Sequence, residues 1–399
     1  MQQDLNPQDI IDEIKQYEKR LIDFRRRVHR EPEVGFDTAL TLKKIAEFLK
    51  ENGIEGLDTA ASPGSGFLLI QGSKPGKTIA LRADIDALNI TEQSGCPWAS
   101  ENGMAHSCGH DGHQTWLLAA ILYLSRHRGF AGNILCIFQA AEESVNGADS
   151  VVQSGVFKKY DVKEIYGAHN EPLLDLGMIG FRAGPTMAAC DRFEIDVKGV
   201  GTHGARPNLG KDPLPAAAEI FIALQTLVSR TLDPFKSAVV SVCSFTAGNP
   251  NTYNIIPETV HLLGTTRTFE EPVRDLIERE IKTRSVGIAK AFGLEAEARY
   301  IRLVGAVDND AELTDFAERA AARMFGSERT LRLTEPYMIS EDFSAYQKVV
   351  PGCFFFIGVR DKEHQAALHS PHYDFNDRII TEAGALFAYL ALSSLADRQ

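Results

Sequence analysis

The chain has 399 residues, of which 44% are hydrophobic and 24% are charged, as in ordinary globular proteins. Its 54 acidic and 42 basic residues give a net charge of −12, which argues against nucleic acid or a membrane as a partner. Six cysteines without a repeating spacing indicate reduced thiols, and the polar segment Met1–Gln16 lacks the core of a signal peptide. We find no apolar stretch near the roughly 20 residues that a membrane span needs, and therefore expect a cytoplasmic protein.

The beginning of the chain predicts helices, followed by alternating strands and helices. Apolar residues recur at helical spacing between Ile10 and Val28, and a second helical stretch runs from Thr38 to Asn52. Strands are then predicted at 66–71, 78–83, 132–139, 164–168 and 353–359, and helices at 113–127 and 148–154. Because two of these strands are continuously apolar, we expect an α/β fold with a mostly parallel sheet flanked by helices.

The middle of the chain, residues 186–298, shows a different pattern. Alternating polar and apolar residues predict strands near 193–198, 238–245, 260–268 and 295–301, and longer patterns predict helices at 214–230 and 272–292. This order is typical of a two-layer α+β domain with a half-exposed antiparallel sheet. We expect it to be inserted into a catalytic metal-binding domain formed by residues 1–185 and 299–399. Its exposed sheet edge predicts a homodimer.

The densest group of possible metal ligands is the segment Cys108-Gly109-His110-Asp111-Gly112-His113. A thiolate and an imidazole two residues apart can bind one divalent cation, here on a turn that enters a helix at His113. The structural alternative is a buried cysteine beside an aspartate that caps the helix. The segment alone leaves both interpretations open.

Further polar residues come shortly after predicted strands, namely Asp84, Asp86, Glu142, Glu143, His169 and His369. The carboxyl ends of parallel strands share one edge of a sheet, where such folds bind ligands. Two adjacent carboxylates repel each other, so a nearby cation is one way to keep both ionised. One carboxylate of the pair 142–143 could then bind metal while the other takes a proton from water. Motifs for a serine nucleophile elbow or a phosphate-binding loop are absent from the sequence.

These motifs, in this order along nearly the whole chain, resemble the metal-dependent aminoacylase, hippurate hydrolase and indole-3-acetyl-amino-acid hydrolase group of amidohydrolases. This group is part of a wider zinc carboxypeptidase and dipeptidase superfamily. The segments 27–33, 201–207, 254–257, 340–343 and 368–370 add to the resemblance. It implies that two divalent metal ions per subunit, zinc or manganese with cobalt or nickel as alternatives, support hydrolysis of a small N-acyl amino acid.

The resemblance also implies roles for individual residues. The metal ligands would be Cys108, His110, Glu143, His169 and His369. Glu142 would be the general base, and Asp86 the carboxylate that orients a ligand histidine. His203 of the inserted domain would reach the active site of the partner subunit and stabilise the oxyanion. Asn254 and Arg267 would hold the carboxylate of the substrate.

Several alternatives stay open at this point. Asp84 stands where the wider superfamily has histidine and is not expected to bind metal, and Ser107 and Ala140 also differ from the group's usual residues. Arg267 is alternatively a surface salt-bridge residue. Other functions that fit are a dipeptidase or aminopeptidase with the same metal site, a thiol amidase with Cys108 as nucleophile, and a catalytically silent metal-binding protein.

Overall fold

The computed structural model describes residues 5–144 and 146–397, which form two compact units. The larger unit comprises Met1–Gly184, Asp308–Glu335 and Asp342–Gln399, and the smaller comprises Pro185–Val307 and Pro336–Glu341. The sequence placed the end of the inserted domain at residue 298, whereas the strand that begins at Glu295 continues to Val304.

The helices and strands are numbered in chain order. The helices are α1 Pro7–Lys15, α2 Glu18–Arg30, α3 Ala39–Glu51, α4 His110–Leu124, α5 Gly147–Gln153, α6 Val156–Lys159, α7 Leu214–Gln225, α8 Leu227–Thr231, α9 Glu271–Ala291, α10 Ala311–Phe325, α11 Ser344–Gln347 and α12 Ile380–Asp397. The strands are β1 Gly66–Gln71, β2 Lys74–Asp84, β3 Ala131–Gln139, β4 Val162–Asp175, β5 Ile179–Phe181, β6 Gly184–Met187, β7 Ala189–Lys198, β8 Thr202–His203, β9 Ala238–Ala247, β10 Ile255–Ile256, β11 Thr259–Thr268, β12 Glu295–Val304, β13 Val307–Asn309, β14 Thr330–Arg332 and β15 Gly352–Arg360.

The larger unit is built on a seven-stranded sheet with the order β1-β3-β2-β4-β15-β5-β14. Its four central strands, from β3 to β15, run parallel to one another, whereas β1 pairs antiparallel with β3 and β5 pairs antiparallel with β15. The prediction of a mostly parallel sheet is therefore confirmed. The strands β5 and β14 were not predicted because three residues are too few to show a periodic pattern.

The core of this unit is packed between the sheet and two apolar helices. All residues of α4 are buried, so this helix has no polar face, as expected for a helix enclosed by its neighbours. It packs against α12.

The sequence prediction that no apolar stretch approaches the length of a membrane span was wrong, since the helix at 377–396 meets that criterion by length and composition. However, 83% of the most apolar 18-residue stretch of this helix is buried inside the protein, as in a core helix.

The smaller unit contains a four-stranded antiparallel sheet with the order β12-β7-β11-β9. Alternate residues of β7, such as Phe193, Ile195 and Val197, pack against apolar residues of α7 and α9, which cover one face of the sheet. The predicted order of strands and helices is thus observed. Strand β9 is an edge strand whose second half is mostly exposed.

Candidate active site

The segment with the most possible ligands lies at the start of α4. The helix begins at His110, not at His113 as predicted, because Gly109 has a left-handed backbone with φ of 88°. A side chain at position 109 would collide with that of Asn170, so this close approach requires glycine. His110 and His113 lie one helical turn apart, and their ring centroids are 5.2 Å apart.

The alternative that Asp111 caps this helix is wrong. The N-cap residue is Gly109, and no side chain caps the helix. Instead, Asp111 accepts a hydrogen bond from Arg25 at 3.1 Å and lies 2.8 Å from Nδ1 of His29, both of which belong to α2. The aspartate therefore ties the start of α4 to α2.

The structure brings all five predicted metal ligands together. Donor atoms of Cys108, His110 and His169 lie within 4.8 Å of one another, as do those of Cys108, Glu143 and His369. The Sγ atom of Cys108 is 3.3 Å from Nε2 of His169, and Nε2 of His369 is 3.4 Å from Oε1 of Glu143. We call these five residues the ligand cluster. His169 lies within β4 and not beyond it, because β4 is longer than predicted.

Glu142 and Asp86 border the ligand cluster. Glu142 is buried, and one of its carboxylate oxygens lies within 4.8 Å of donor atoms of His110 and Glu143. The carboxylate of Asp86 accepts the backbone N–H groups of Glu142 and Glu143 at 3.1 and 3.2 Å, and lies 3.4 Å from Nδ1 of His110. Asp86 therefore holds the backbone of the acidic pair in place and lies beside a ligand histidine, where such imidazoles commonly have a carboxylate.

The ligand cluster fits a divalent metal. Among the described residues, both ring nitrogens of His110 and Oε1 of Glu143 are buried without a hydrogen-bond partner, which is rare and calls for a bound ion or water. Nδ1 of His169 donates to the backbone carbonyl of Asn170 at 2.7 Å, so its Nε2 presents a lone pair towards Cys108. Sulfur, imidazole and carboxylate donors suit zinc, and the nitrogen and oxygen donors also suit manganese, cobalt or nickel.

The electrostatics of the ligand cluster favour positive charge. Burial would lower the pKa of His110, but Asp84 and Asp86 raise it to about 10. Burial raises the pKa of the Cys108 thiol well above its ordinary value, and the negative charges of Glu143 and Glu142 raise it further. A nearby cation is therefore needed for Cys108 to ionise.

A buried polar network adjoins the ligand cluster, and the sequence did not predict it. The fully buried Arg82 donates to Gln139 at 2.8 Å, to Asp84 at 2.8 Å and to Asp342 at 3.1 Å. The other oxygen of Asp84 is 2.5 Å from Nδ1 of His113. Asp84 is thus engaged by an arginine and a histidine. The sequence singled out Asp84, His113 and Asp342, but it gave no signal for Arg82 or Gln139 as their partners.

The other three predicted site residues lie in the smaller unit. His203 is exposed, and its Nδ1 accepts the backbone N–H of Ala205 at 3.1 Å, so the proton of the neutral ring sits on Nε2. The neighbouring Asn254 accepts the N–H of Gly204 through its backbone carbonyl at 2.7 Å. Arg267 donates to a hydroxyl and a carbonyl of its own strand. It forms no ion pair among the residues that the structure describes, so the salt-bridge alternative is wrong.

Comparisons with known proteins agree with this arrangement. The N-acetylcysteine deacetylase of Bacillus subtilis (strain 168) is 38% identical over 380 residues, which cover 95% of this chain and 97% of that protein. The hippurate hydrolase of Campylobacter jejuni is 35% identical over 387 residues, which cover 97% of this chain and 99% of that protein. The crystal structure of the Bacillus subtilis YXEP protein, a dinuclear metal-binding peptidase of the M20 family, matches with a TM-score of 0.84 and 35% identity over 96% of this chain and 99% of that one.

These similarities confirm the predicted relationship to the aminoacylase and hippurate hydrolase group, the α/β fold class and the prediction of a hydrolase that acts on amide bonds. The model of peptidase family M20/M25/M40 matches residues 80–393, a range that contains Glu142, Asp86 and the whole ligand cluster. Since this range covers most of the chain and the relatives match nearly all of it, the chain belongs to peptidase family M20/M25/M40.

Proposed function

We propose that this protein cleaves N-acyl amino acids into a carboxylic acid and a free amino acid. The single observation that carries the proposal is the convergence of the ligand cluster beside Glu142, a buried carboxylate with a fixed backbone. The deacetylase and hippurate hydrolase relatives support this substrate class.

The ligand cluster would hold two divalent metal ions, zinc or manganese, with cobalt or nickel as alternatives. Its orphaned nitrogen and oxygen atoms and the neighbouring carboxylates of Glu142 and Asp86 support this assignment. Metal ions bound there would lower the pKa of water and polarise a carbonyl oxygen.

Glu142 would act as the general base and then as the general acid. Its carboxylate takes a proton from water, whose oxygen forms a bond to the amide carbonyl carbon. Glu142 returns this proton to the nitrogen as the C–N bond breaks, so protons and bonds balance. Asp86 would act only through position, since it fixes the backbone of Glu142 and Glu143.

Three residues of the smaller unit would complete the site. Nε2–H of His203 would donate to the oxyanion, an interaction worth roughly 3–4 kcal/mol for one well-placed donor. Asn254 and Arg267 would hold the substrate carboxylate, for which the planar, permanently charged guanidinium of Arg267 is well suited. The absence of an ion-pair partner for Arg267 in the described part of the chain supports this role.

A comparison of substrates tests this function directly. With zinc or manganese supplied, we expect kcat/KM for N-acetyl or N-benzoyl amino acids to exceed that for free dipeptides by at least about tenfold, because a free ammonium group would lack a partner. Faster hydrolysis of dipeptides would identify a dipeptidase. Activity that survives a chelator but not a thiol alkylator would identify a thiol amidase. A metal-loaded protein without any hydrolysis would be catalytically silent.

We further propose that the smaller unit forms a homodimer through β9. This edge strand carries Phe245, which is 41% exposed, and the adjacent helix α7 exposes Phe221 and Ile222. An exposed edge with apolar side chains favours pairing with a second copy.

The six free cysteines support a reducing, cytoplasmic location.

Mixing two inactive variants tests whether His203 acts in the partner subunit. We expect the His203→Ala and Glu142→Gln homodimers to be nearly inactive. Random exchange of their subunits should restore about a quarter of wild-type activity, because half of the dimers would contain one intact site out of two. The measurement compares the activity of the mixture with the activities of the two variants assayed separately.

The matched control for this experiment is a mixture of Cys108→Ala and Glu142→Gln chains. Both of these residues belong to the larger unit, so exchange should create no intact site. Lack of recovery in the His203→Ala mixture, with exchange verified by mass spectrometry, would contradict action in the partner subunit.

A further inference from the structure

A second group of metal-binding side chains lies in the larger unit and shares no residue with the ligand cluster. It consists of His29 from α2, Glu92 and Cys96 from the segment between β2 and α4, and Asp374 from the segment before α12. Donor atoms of His29, Cys96 and Asp374 lie within 4.8 Å of one another. Oε1 of Glu92 is 3.0 Å from Nε2 of His29 and 3.8 Å from Sγ of Cys96. Sulfur, nitrogen and oxygen donors thus lie close together.

The histidine of this group is held in the way that metal-binding histidines are held. Nδ1 of His29 lies 2.8 Å from the carboxylate of Asp111, which is fully buried and ion-paired with Arg25. An ionised carboxylate only accepts hydrogen bonds, so Nδ1 carries the proton and Nε2 points to Glu92. A carboxylate on one ring nitrogen with the other nitrogen facing a cation is the usual arrangement around a protein-bound metal.

The charges around His29 also call for a cation. Among the ion pairs of the described residues, the carboxylates of Glu92, Asp111, Asp374 and Asp377 pair with two permanent positive charges, those of Arg25 and Arg26. A proton on His29 neutralises one of the two excess negative charges, whereas a divalent cation neutralises both.

A route from solvent to this group exists. Cys96 and Asp374 line an open cavity of 850 Å³, together with Trp98 and Phe375. Cys96 is half-buried, whereas the side chains of His29 and Glu92 are each only 1% exposed. A cation can therefore enter from the side of Cys96 and meet the buried donors without any opening of the core.

We propose that His29, Glu92, Cys96 and Asp374 form a second cation site, which binds zinc through four protein side chains. Four ligands of this kind complete the tetrahedral shell of a structural zinc ion, and the thiolate selects against magnesium and calcium. Binding displaces the protons of the Cys96 thiol and of His29 Nε2 into solvent. The ion would join α2 to two loop segments that are far apart in the sequence.

Zinc content after dialysis against a low concentration of free zinc tests this proposal. Wild-type protein should retain one zinc ion per subunit more than the Cys96→Ser variant, whose affinity at this site should fall by about 100-fold or more. Cys243→Ser is the matched control, because Cys243 is exposed on β9 of the smaller unit and should leave the zinc content unchanged. Asp374→Asn should lose the same ion as Cys96→Ser, and circular dichroism verifies that each variant is folded.

Cobalt substitution separates the second cation site from the ligand cluster. The Cys108→Ser variant lacks the thiolate of the ligand cluster but should keep the thiolate-to-cobalt charge-transfer absorption that arises from Cys96. The double variant Cys96→Ser/Cys108→Ser should lose it. Equal zinc contents in wild type and Cys96→Ser, or a Cys108→Ser spectrum without this absorption, would overturn the proposal whatever the outcome for the ligand cluster.

Discussion

We expect Glu142→Gln to lower kcat for an N-acyl amino acid by about 10²- to 10⁴-fold, because glutamine cannot accept a proton from water. Its shape is nearly that of glutamate, and the backbone N–H at position 142 would still donate to Asp86. The bound metal content should therefore stay at the wild-type value. Steady-state kinetics and metal analysis on the same preparation provide both measurements.

The adjacent variant Glu143→Gln is the matched control. Glu143 belongs to the ligand cluster, with Oε1 3.4 Å from His369 and 3.9 Å from His110. Its loss should lower activity through loss of metal, so added metal should restore part of it. Nearly normal turnover by Glu142→Gln with metal bound would exclude Glu142 as the base.

Part of the ligand cluster was predictable because motifs and strand ends are local in sequence, whereas the full set of five ligands was predicted only from the resemblance to known amidohydrolases. Glu142 and Glu143 come shortly after the end of β3, and parallel strands bring their carboxyl ends to one edge. The polar support of the cluster was not predictable in the same way. Arg82 and Asp342 are 260 residues apart, and their contact depends on how the chain returns to the sheet after the smaller unit. An arginine within an apolar stretch of sequence does not indicate which carboxylate it will contact in the folded protein.

Errors in the predicted boundaries have a similar physical origin. The start of α4 was placed at His113 because Gly109 and Gly112 suggest a turn, whereas the first turn of the helix includes His110 and Gly112 and is enclosed by Phe375 and other core residues. Burial thus overrides the low helix propensity of glycine. The length of β4 was underestimated because polar residues such as His169 and Asn170 interrupt its apolar run.

Arg82→Met should cause a large loss of stability in the larger unit. Arg82 is fully buried and donates to two carboxylates, those of Asp84 and Asp342. Removal of one partner from a buried ion pair leaves uncompensated charge and typically costs about 3–5 kcal/mol. The variant should therefore unfold at a clearly lower urea concentration than the wild type.

Tryptophan fluorescence can measure this change in the relevant unit. The chain contains two tryptophans, Trp98 and Trp116, and both belong to the larger unit, so the signal follows its unfolding and not that of the smaller unit. A chelator in all samples removes differences in bound metal, which would otherwise shift the apparent stability.

Arg332→Met is the matched control for this prediction. The Arg332 side chain is 51% exposed and pairs with Asp315 and Glu318 at the surface, where such pairs contribute at most about 1 kcal/mol. Its urea midpoint should stay close to that of the wild type. Adding Asp342→Asn to Arg82→Met should recover part of the loss, since it removes one uncompensated charge. Equal midpoints for Arg82→Met and Arg332→Met would mean that the buried network does not stabilise the larger unit.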